Sequence, residues 1–269
     1  MTGSAHARES DELANLGLQL LRASFRRLDT LEALSVGLET AAGSALDGDR
    51  AGQPFQPVAD HVIGCLSVAT DHLRGVQVTV EDSGGKILPL AMYTLIRSAY
   101  EAAGTALWLL APTARDERIW RAMQLTWESR RQVRSVRTQL GESEDAGFTR
   151  MEHRLEELRN RRGGLRGRTL KRSDITSVTA RLNDIASFVP DLVLPPLVLW
   201  QMASGIAHGN TAMMRQVLEH EQVTPYRNGS ASFTMTASVT SLAMFYAAAL
   251  DLTDQVVTAF NTRNGQPPH

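Results

Sequence analysis

Apolar residues recur every three or four positions through most of the chain, which is the spacing of amphipathic α-helices. The ten prolines fall mainly between these stretches, where a helix begins or ends. The first predicted helix follows Ser10, a residue type that favours the N-cap position. Seven further helices are predicted over residues 60–79, 89–110, 113–140, 151–160, 173–189, 195–207 and 237–260.

Segment 217–236 departs from the helical pattern. Its Asn228-Gly229 dipeptide favours the tight turn of a β-hairpin. No internal repeat and no alternation of strands with helices is visible. The predicted fold class is therefore all-α: a bundle of about seven to eight helices with one short hairpin, forming a single domain over 1–269.

Three segments lack a helical pattern and are predicted to be irregular. Residues 1–9 and 262–269 are polar and are expected to be disordered tails. Residues 161–173 combine arginines with glycines and are expected to form a mobile basic loop.

Composition narrows the class of protein. The chain has 269 residues, 43% of them apolar, and one cysteine, which excludes an intramolecular disulfide and a thiolate metal site. That residue, Cys65, lies in an apolar run and is predicted to be a small core residue. Segment 228–250 has no charge but is rich in serine and threonine, which favours a buried helix over a membrane span. We expect a cytoplasmic protein with no membrane partner, no metal and no cofactor.

Basic charge is concentrated in the middle of the chain. Residues 115–172 hold 16 basic and 9 acidic residues, a net of +7, in a chain whose formal net charge is −1. Such asymmetry indicates an anionic partner. Phosphate contact and a solvated face of scattered ion pairs both remain open. The candidate nucleic-acid contacts are a helical stripe and a loop cluster, Arg130, Arg134 and Arg137, and Arg161, Arg162 and Arg166.

The third predicted helix carries charge inside an apolar sequence. Arg97 and Glu101 are four residues apart and share a face, and Trp108 follows two turns later. Burying such a pair is costly unless the charges are matched. Two interpretations remain: an internal ion pair that fixes helix packing, or a pocket in which Arg97 binds an anion or Glu101 transfers a proton.

The second predicted helix offers Asp71 and His72 among apolar neighbours. A histidine in this setting is usually a packed core residue, with a catalytic role as the alternative. Asp71 has three options, namely capping, pairing with Arg97 or facing water.

The seventh predicted helix ends in Ser204-Gly-Ile-Ala-His208-Gly-Asn210. Ser204 and His208 share a helical face. The sequence is typical of a helix C-terminus, where histidine and glycine are favoured. The alternative is a functional site that contains His208. Ser204 and His208 also suggest a hydrolase, but the sequence offers neither a third catalytic group nor a nucleophile-elbow pattern.

Together, Leu95-Ile-Arg-Ser-Ala-Tyr-Glu101, Trp108 and Ser204–Asn210 make the chain resemble the HEPN-like helical families. The resemblance implies a dimeric helical bundle, in families that often serve phage defence or toxin systems. Active members cleave RNA with an arginine that is separated by four to six residues from a following histidine at the dimer interface. His208 matches the histidine, whereas Gln201, Met202 and Ala203 are not arginines.

The leading hypothesis is a HEPN-like homodimer that binds RNA or a nucleotide, in bacterial defence or stress response. Its pocket would hold Arg97, Glu101, His208 and Asn210, with Arg121 as a helper. One alternative is a metal-independent ribonuclease, with His208 as general acid or base. Another is a non-catalytic structural or regulatory module whose charged residues fix helix packing.

Overall fold

A computed structural model describes residues 8–142, 146–170, 177–189, 192 and 194–265. Helices dominate it, and one two-stranded antiparallel sheet is present. In chain order the elements are α1 (Asp11–Ser35), α2 (Ala45–Gly52), α3 (Val58–Asp82), α4 (Ala91–Leu110), α5 (Arg115–Gln139), α6 (Ala146–Asn160), a 3₁₀ turn (Gly163–Leu165), α7 (Val178–Asp184), α8 (Pro196–Ala207), α9 (Thr211–Val217), β1 (Glu219–Gln222), β2 (Phe233–Thr236) and α10 (Val239–Arg263).

The all-α class is confirmed, but the predicted number of helices is wrong. The described residues form ten α-helices rather than seven to eight. The two additional ones are short, α2 and α9, with eight and seven residues. The glycines in and around α2 are typical of a loop. The helix is nevertheless capped, because the Ser44 side chain accepts a hydrogen bond from the Asp47 amide. No described helix is long and apolar enough to cross a membrane.

The chain forms two compact units, each assembled from separate segments. Unit 1 comprises Met1–Gly37, Leu66–Gly104 and Val189–Gln255. Unit 2 comprises Leu38–Cys65, Thr105–Phe188 and Val256–His269. The single-domain interpretation stays a prediction.

Aromatic contacts between helices organise the core of unit 1. The rings of Phe25 on α1 and Tyr246 on α10 meet edge to face at 5.2 Å, as do those of Tyr93 on α4 and Phe245 on α10. Edge-to-face pairs of this kind add to the stabilisation from burial. The core thus joins α1, α4 and α10, with Leu73 of α3 also buried.

The predicted hairpin is confirmed, and Arg8 and Glu9, which were assigned to the first tail, contact its first strand; residues 1–7 lie outside the described residues. Glu219 pairs with Thr236 and Gln222 with Phe233 in antiparallel register. Asn228 and Gly229 have φ of 52° and 80°, the left-handed conformation that this turn requires. Glu9 accepts hydrogen bonds from the Val239 and Thr240 amides and so caps the start of α10.

Unit 2 has its own apolar core, built mainly on α5. Buried residues of α5 and α6 and of the segment after α6 meet there, together with partly buried Trp127, Met151 and Leu158. The fully or nearly buried members are Ile119, Trp120, Met123, Leu155, Leu165 and Leu170. The described part of the predicted basic loop therefore packs through Leu165 and Leu170; residues 171–173 lie outside the described residues.

Residues 262–265 of the other predicted tail are part of the folded protein, and residues 266–269 lie outside the described residues. Helix α10 continues to Arg263, whose guanidinium donates to the carbonyls of Leu110, Ala111 and Pro112. Asn264 is buried and bonds to Ala41 and Glu39. These backbone partners lie far away in the sequence, so no local pattern signals them.

Candidate nucleic-acid interface

Helix α5 has two halves with opposite surroundings. All its buried residues lie at or before Thr126, whereas every residue from Ser129 to Glu142 is exposed. The exposed half has an acid-free run between Glu128 and Glu142 that contains four arginines. The sequence predicted a helical arginine stripe here, and the structure places it in solvent.

We call Arg130, Arg134 and Arg137 the arginine row; their spacing of four and three residues puts them on one helical face. The guanidinium of Arg130 has no hydrogen-bond or ion-pair partner among the described residues. The Arg134 guanidinium stacks over Phe148 of α6, 4.9 Å from the ring centroid. The Nε of Arg137 lies 3.5 Å from the Glu142 carboxylate, an exposed pair that water screens strongly.

An exposed apolar strip runs beside the arginine row. It consists of Val133, Val136 and Leu140, of which Leu140 is 71% exposed. Spacings of three and four residues place the strip on one face of α5, next to the face of the row. The exposed half of α5 is therefore both basic and apolar.

The loop arginines differ in their surroundings. Arg162 pairs with Asp116 at the start of α5, and Arg161 lies 3.9 Å from Glu157. Arg166 is exposed, and its side chain has no hydrogen-bond or ion-pair partner in the described part of the chain. Of the three loop arginines that were predicted to contact nucleic acid, Arg162 is the one that forms a short ion pair with a carboxylate.

Arg97 and Glu101 form a long ion pair rather than a closed one. Their charged atoms are 3.5 Å apart, and their side chains are 24% and 36% exposed. The Arg97 guanidinium lies over the Trp200 ring of α8, 5.3 Å from its centroid. Arg97 Nε and Trp200 Nε1 are buried without a hydrogen-bond acceptor. Two cavities found among the described residues of unit 1 are lined by other side chains.

His208 and Asn210 lie at helix ends. His208 is the exposed C-cap of α8, and its backbone amide donates to the Ser204 carbonyl. Gly209 follows with φ of 72°, and Asn210 caps α9 by accepting from the Ala212 and Met213 amides. Ser204 and His208 share a face with Trp200, since four residues separate each from the next. The helix-end interpretation accounts for these contacts.

Asp71 and His72 lie on α3 without the contacts proposed for them. Asp71 is exposed and His72 is half-buried. Neither has a hydrogen-bond or ion-pair partner among the described residues, and the proposed pairing of Asp71 with Arg97 is absent there.

Arg121 and Trp108 meet in unit 2. The Arg121 guanidinium lies 4.6 Å from the centroid of the buried Trp108 ring and donates to its backbone carbonyl at 2.6 Å. It also contacts Glu117 at 3.4 Å and Asp184 at 3.9 Å. Carbonyl, ring and carboxylates surround this guanidinium, which is the environment of a packing residue.

Sequence reasoning missed the most buried charge pair of unit 2. Arg118 is 3% exposed and donates to both oxygens of Asp49, at 2.7 and 2.9 Å. It also donates to the carbonyls of Pro112 and Thr113. Burial raises the pKa of Asp49, while the bonds from Arg118 act in the opposite direction. Asp49 lies among glycines, and no spacing connects it to α5.

Two other titratable groups of unit 2, His61 and Cys65, are partly buried. His61 Nε2 lies 3.0 Å from Thr126 Oγ1, and burial lowers the pKa of this histidine. Burial raises the pKa of Cys65 to about 11, so its thiol stays protonated at neutral pH. Cys65 thus lacks the electrostatic surroundings of a reactive thiolate.

No protein-family model, curated protein or solved structure matches this chain.

Proposed function

We propose that this protein is a HEPN-like helical homodimer that binds RNA through the arginine row of α5. The observation that carries the proposal is the exposed, acid-free half of α5, where Arg130, Arg134 and Arg137 share a face. The net of +7 over residues 115–172 supports it.

The row suits phosphate better than a single small anion. One turn of α-helix rises about 5.4 Å, so guanidiniums one turn apart can follow successive phosphates of a strand. Phosphate contacts supply affinity without sequence preference. The predicted ligand is therefore single-stranded RNA bound with strong salt dependence, and a mononucleotide would engage only part of the row.

The apolar strip supports the homodimer. Val133, Val136 and Leu140 are exposed beside the row, and burying them between two copies would remove apolar surface from water. That arrangement would bring two arginine rows to the edges of one interface. We expect Val136→Glu to lower the mass of the purified protein measured by light scattering from dimer to monomer.

No observation favours catalysis by His208 over binding alone. An imidazole that stabilises or moves a proton at a cleaved phosphate needs an arginine or a second base nearby. Among the described residues, His208 has only backbone hydrogen bonds at the end of α8. We therefore expect bound RNA to stay intact with the wild-type protein and with His208→Ala alike.

The test is the salt dependence of binding to a labelled single-stranded RNA. Charge reversal of the row, in Arg130→Glu/Arg134→Glu/Arg137→Glu, should abolish binding at physiological salt. Neutralising the row should lower the slope of log affinity against log salt by about 0.7 for each phosphate that the variant no longer neutralises.

The matched control reverses three exposed arginines of unit 1, in Arg22→Glu/Arg26→Glu/Arg227→Glu. It changes the net charge equally, so binding should fall only modestly. Equal loss in both variants would show a diffuse electrostatic effect and would contradict the assignment to α5.

A further inference from the structure

Unit 1 contains a cavity that the proposed function does not use. It has a volume of about 430 Å³ and is bounded by α1, α8, α9 and α10 and the residue before Pro195. Cavities of about 300–1,000 Å³ are typical of small-molecule sites. Its lining residues include Leu20, Leu199, Met202, Met244, Phe245 and Ala248.

The walls are apolar and open to water. Leu20 and Met244 are 40% and 48% exposed, so an apolar ligand that covered them would remove apolar surface from water. Met202 and Met244 have flexible, polarisable side chains that adapt to differently shaped apolar ligands. The cavity thus suits an apolar ligand body of variable shape.

Charge is concentrated on one side of the cavity. Arg27 of α1 and Asp251 of α10 line it and form an ion pair at 2.7 Å. Asp254, one turn further along α10, is half-buried beside them: burial raises its pKa, Arg27 lowers it, and repulsion from Asp251 raises it. Asp251 and Asp254 are three residues apart on one face of α10, and Arg27 is paired with Asp251 there, so the carboxylates outnumber the guanidinium beside this side of the cavity.

We propose that this cavity binds a small amphipathic amine, with its apolar body between α1, α8 and α10 and its ammonium group against Asp251. An ammonium would supply the positive charge that two carboxylates and one guanidinium lack. A carboxylate head group would meet Arg27 only by competing with Asp251, and would be repelled by Asp254.

The experiment uses three probes with the same chain: n-hexylammonium, 1-hexanol and hexanoate. Calorimetric titration of the full-length protein should give affinities in that order, with hexylammonium about fivefold tighter than hexanol. Methyl resonances of Met202 and Met244 should shift on binding. Equal affinities of the three probes, or no binding of hexylammonium at millimolar concentration, would overturn the proposal.

Two variants separate the head-group site from the cavity. Asp251→Asn should weaken hexylammonium about fivefold and strengthen hexanoate, because Arg27 loses its partner. Ala248→Phe should abolish binding of all three probes by filling the cavity. The control, Asp71→Asn, removes an exposed carboxylate of α3 and should change nothing. An Asp251→Asn variant that keeps the wild-type preference for hexylammonium would also overturn the proposal.

Discussion

The two halves of α5 use the same residue type in opposite ways. Arg118 and Arg121, in the first half, direct their guanidiniums at carboxylates and backbone carbonyls of unit 2. Arg130 and Arg134, in the second half, face solvent. The difference lies in the elements that surround each half, and it separates arginines that hold the fold from arginines available to a ligand.

The buried half of α5 can hold charged side chains because their hydrogen-bonding groups have partners. Removing two ions from water costs several kcal/mol per ion, which the interior offsets only when the remaining donors are also bonded. Arg118 meets this condition with two bonds to Asp49 and two to backbone carbonyls. No such network surrounds Arg130 among the described residues.

The largest predicted effect comes from breaking the buried pair. Arg118→Met should lower the free energy of unfolding by about 3–5 kcal/mol, because the buried Asp49 loses both hydrogen bonds from Arg118 and keeps only a longer ion pair, at 3.9 Å, with Arg115 among the described residues. Arg130→Met, the matched change in the exposed half, should alter it by less than about 0.5 kcal/mol. Urea denaturation measures both values, and similar losses in the two variants would remove the distinction between the halves.

The next effect is a pH dependence at the end of the buried half, where His61 meets Thr126. Because burial lowers the pKa of His61, the unfolded chain binds its proton more readily than the folded chain. This contribution to stability is fully present above the ordinary histidine pKa of about 6.5 and is lost as the pH falls below it. The slope should not exceed about 1.4 kcal/mol per pH unit.

Chemical denaturation of the wild type and of His61→Gln at several pH values tests this dependence. The variant should lack the component that the wild type shows below pH 6.5. His153→Gln, at an exposed position on α6, is the control and should keep the wild-type profile. Identical profiles in all three proteins would contradict the assignment to His61.

The smallest effect separates two members of the arginine row. Arg134→Gln should cost about 0.5–1 kcal/mol because the guanidinium no longer stacks on the Phe148 ring, whereas Arg130→Gln should cost almost nothing. Thermal denaturation of the two variants measures the difference. An equal effect would mean that the Arg134 contact adds no stability.

The sequence pattern predicted those features of the fold that depend on contacts between residues close together in the chain. Periodicity located eight of the ten described helices, Asn228-Gly229 located the hairpin, and spacing placed Arg130, Arg134 and Arg137 on one face. The pattern missed α2, which contains glycines, and α9, which has only seven residues.

Partners distant in sequence could not be predicted. Arg97 and Glu101 lie in an apolar helix, and the sequence predicted either a closed ion pair or pocket residues. The Arg97 guanidinium also lies over the ring of Trp200, a residue of α8 that the sequence around Arg97 does not indicate. Arg118 pairs with Asp49, which lies 69 residues before it in the chain, and nothing in the sequence around either residue indicates this pair.

The most direct test of the central claim compares two sets of arginines for two properties. One variant neutralises the row, as Arg130→Gln/Arg134→Gln/Arg137→Gln, and the other neutralises paired arginines, as Arg121→Gln/Arg162→Gln/Arg168→Gln. We predict that the first loses RNA affinity at low salt, with a melting temperature lowered only by the loss of the contact between Arg134 and Phe148. The second should melt earlier and, while folded, bind RNA nearly as the wild type does. Loss of RNA binding in the second variant alone, or in neither, would contradict the account.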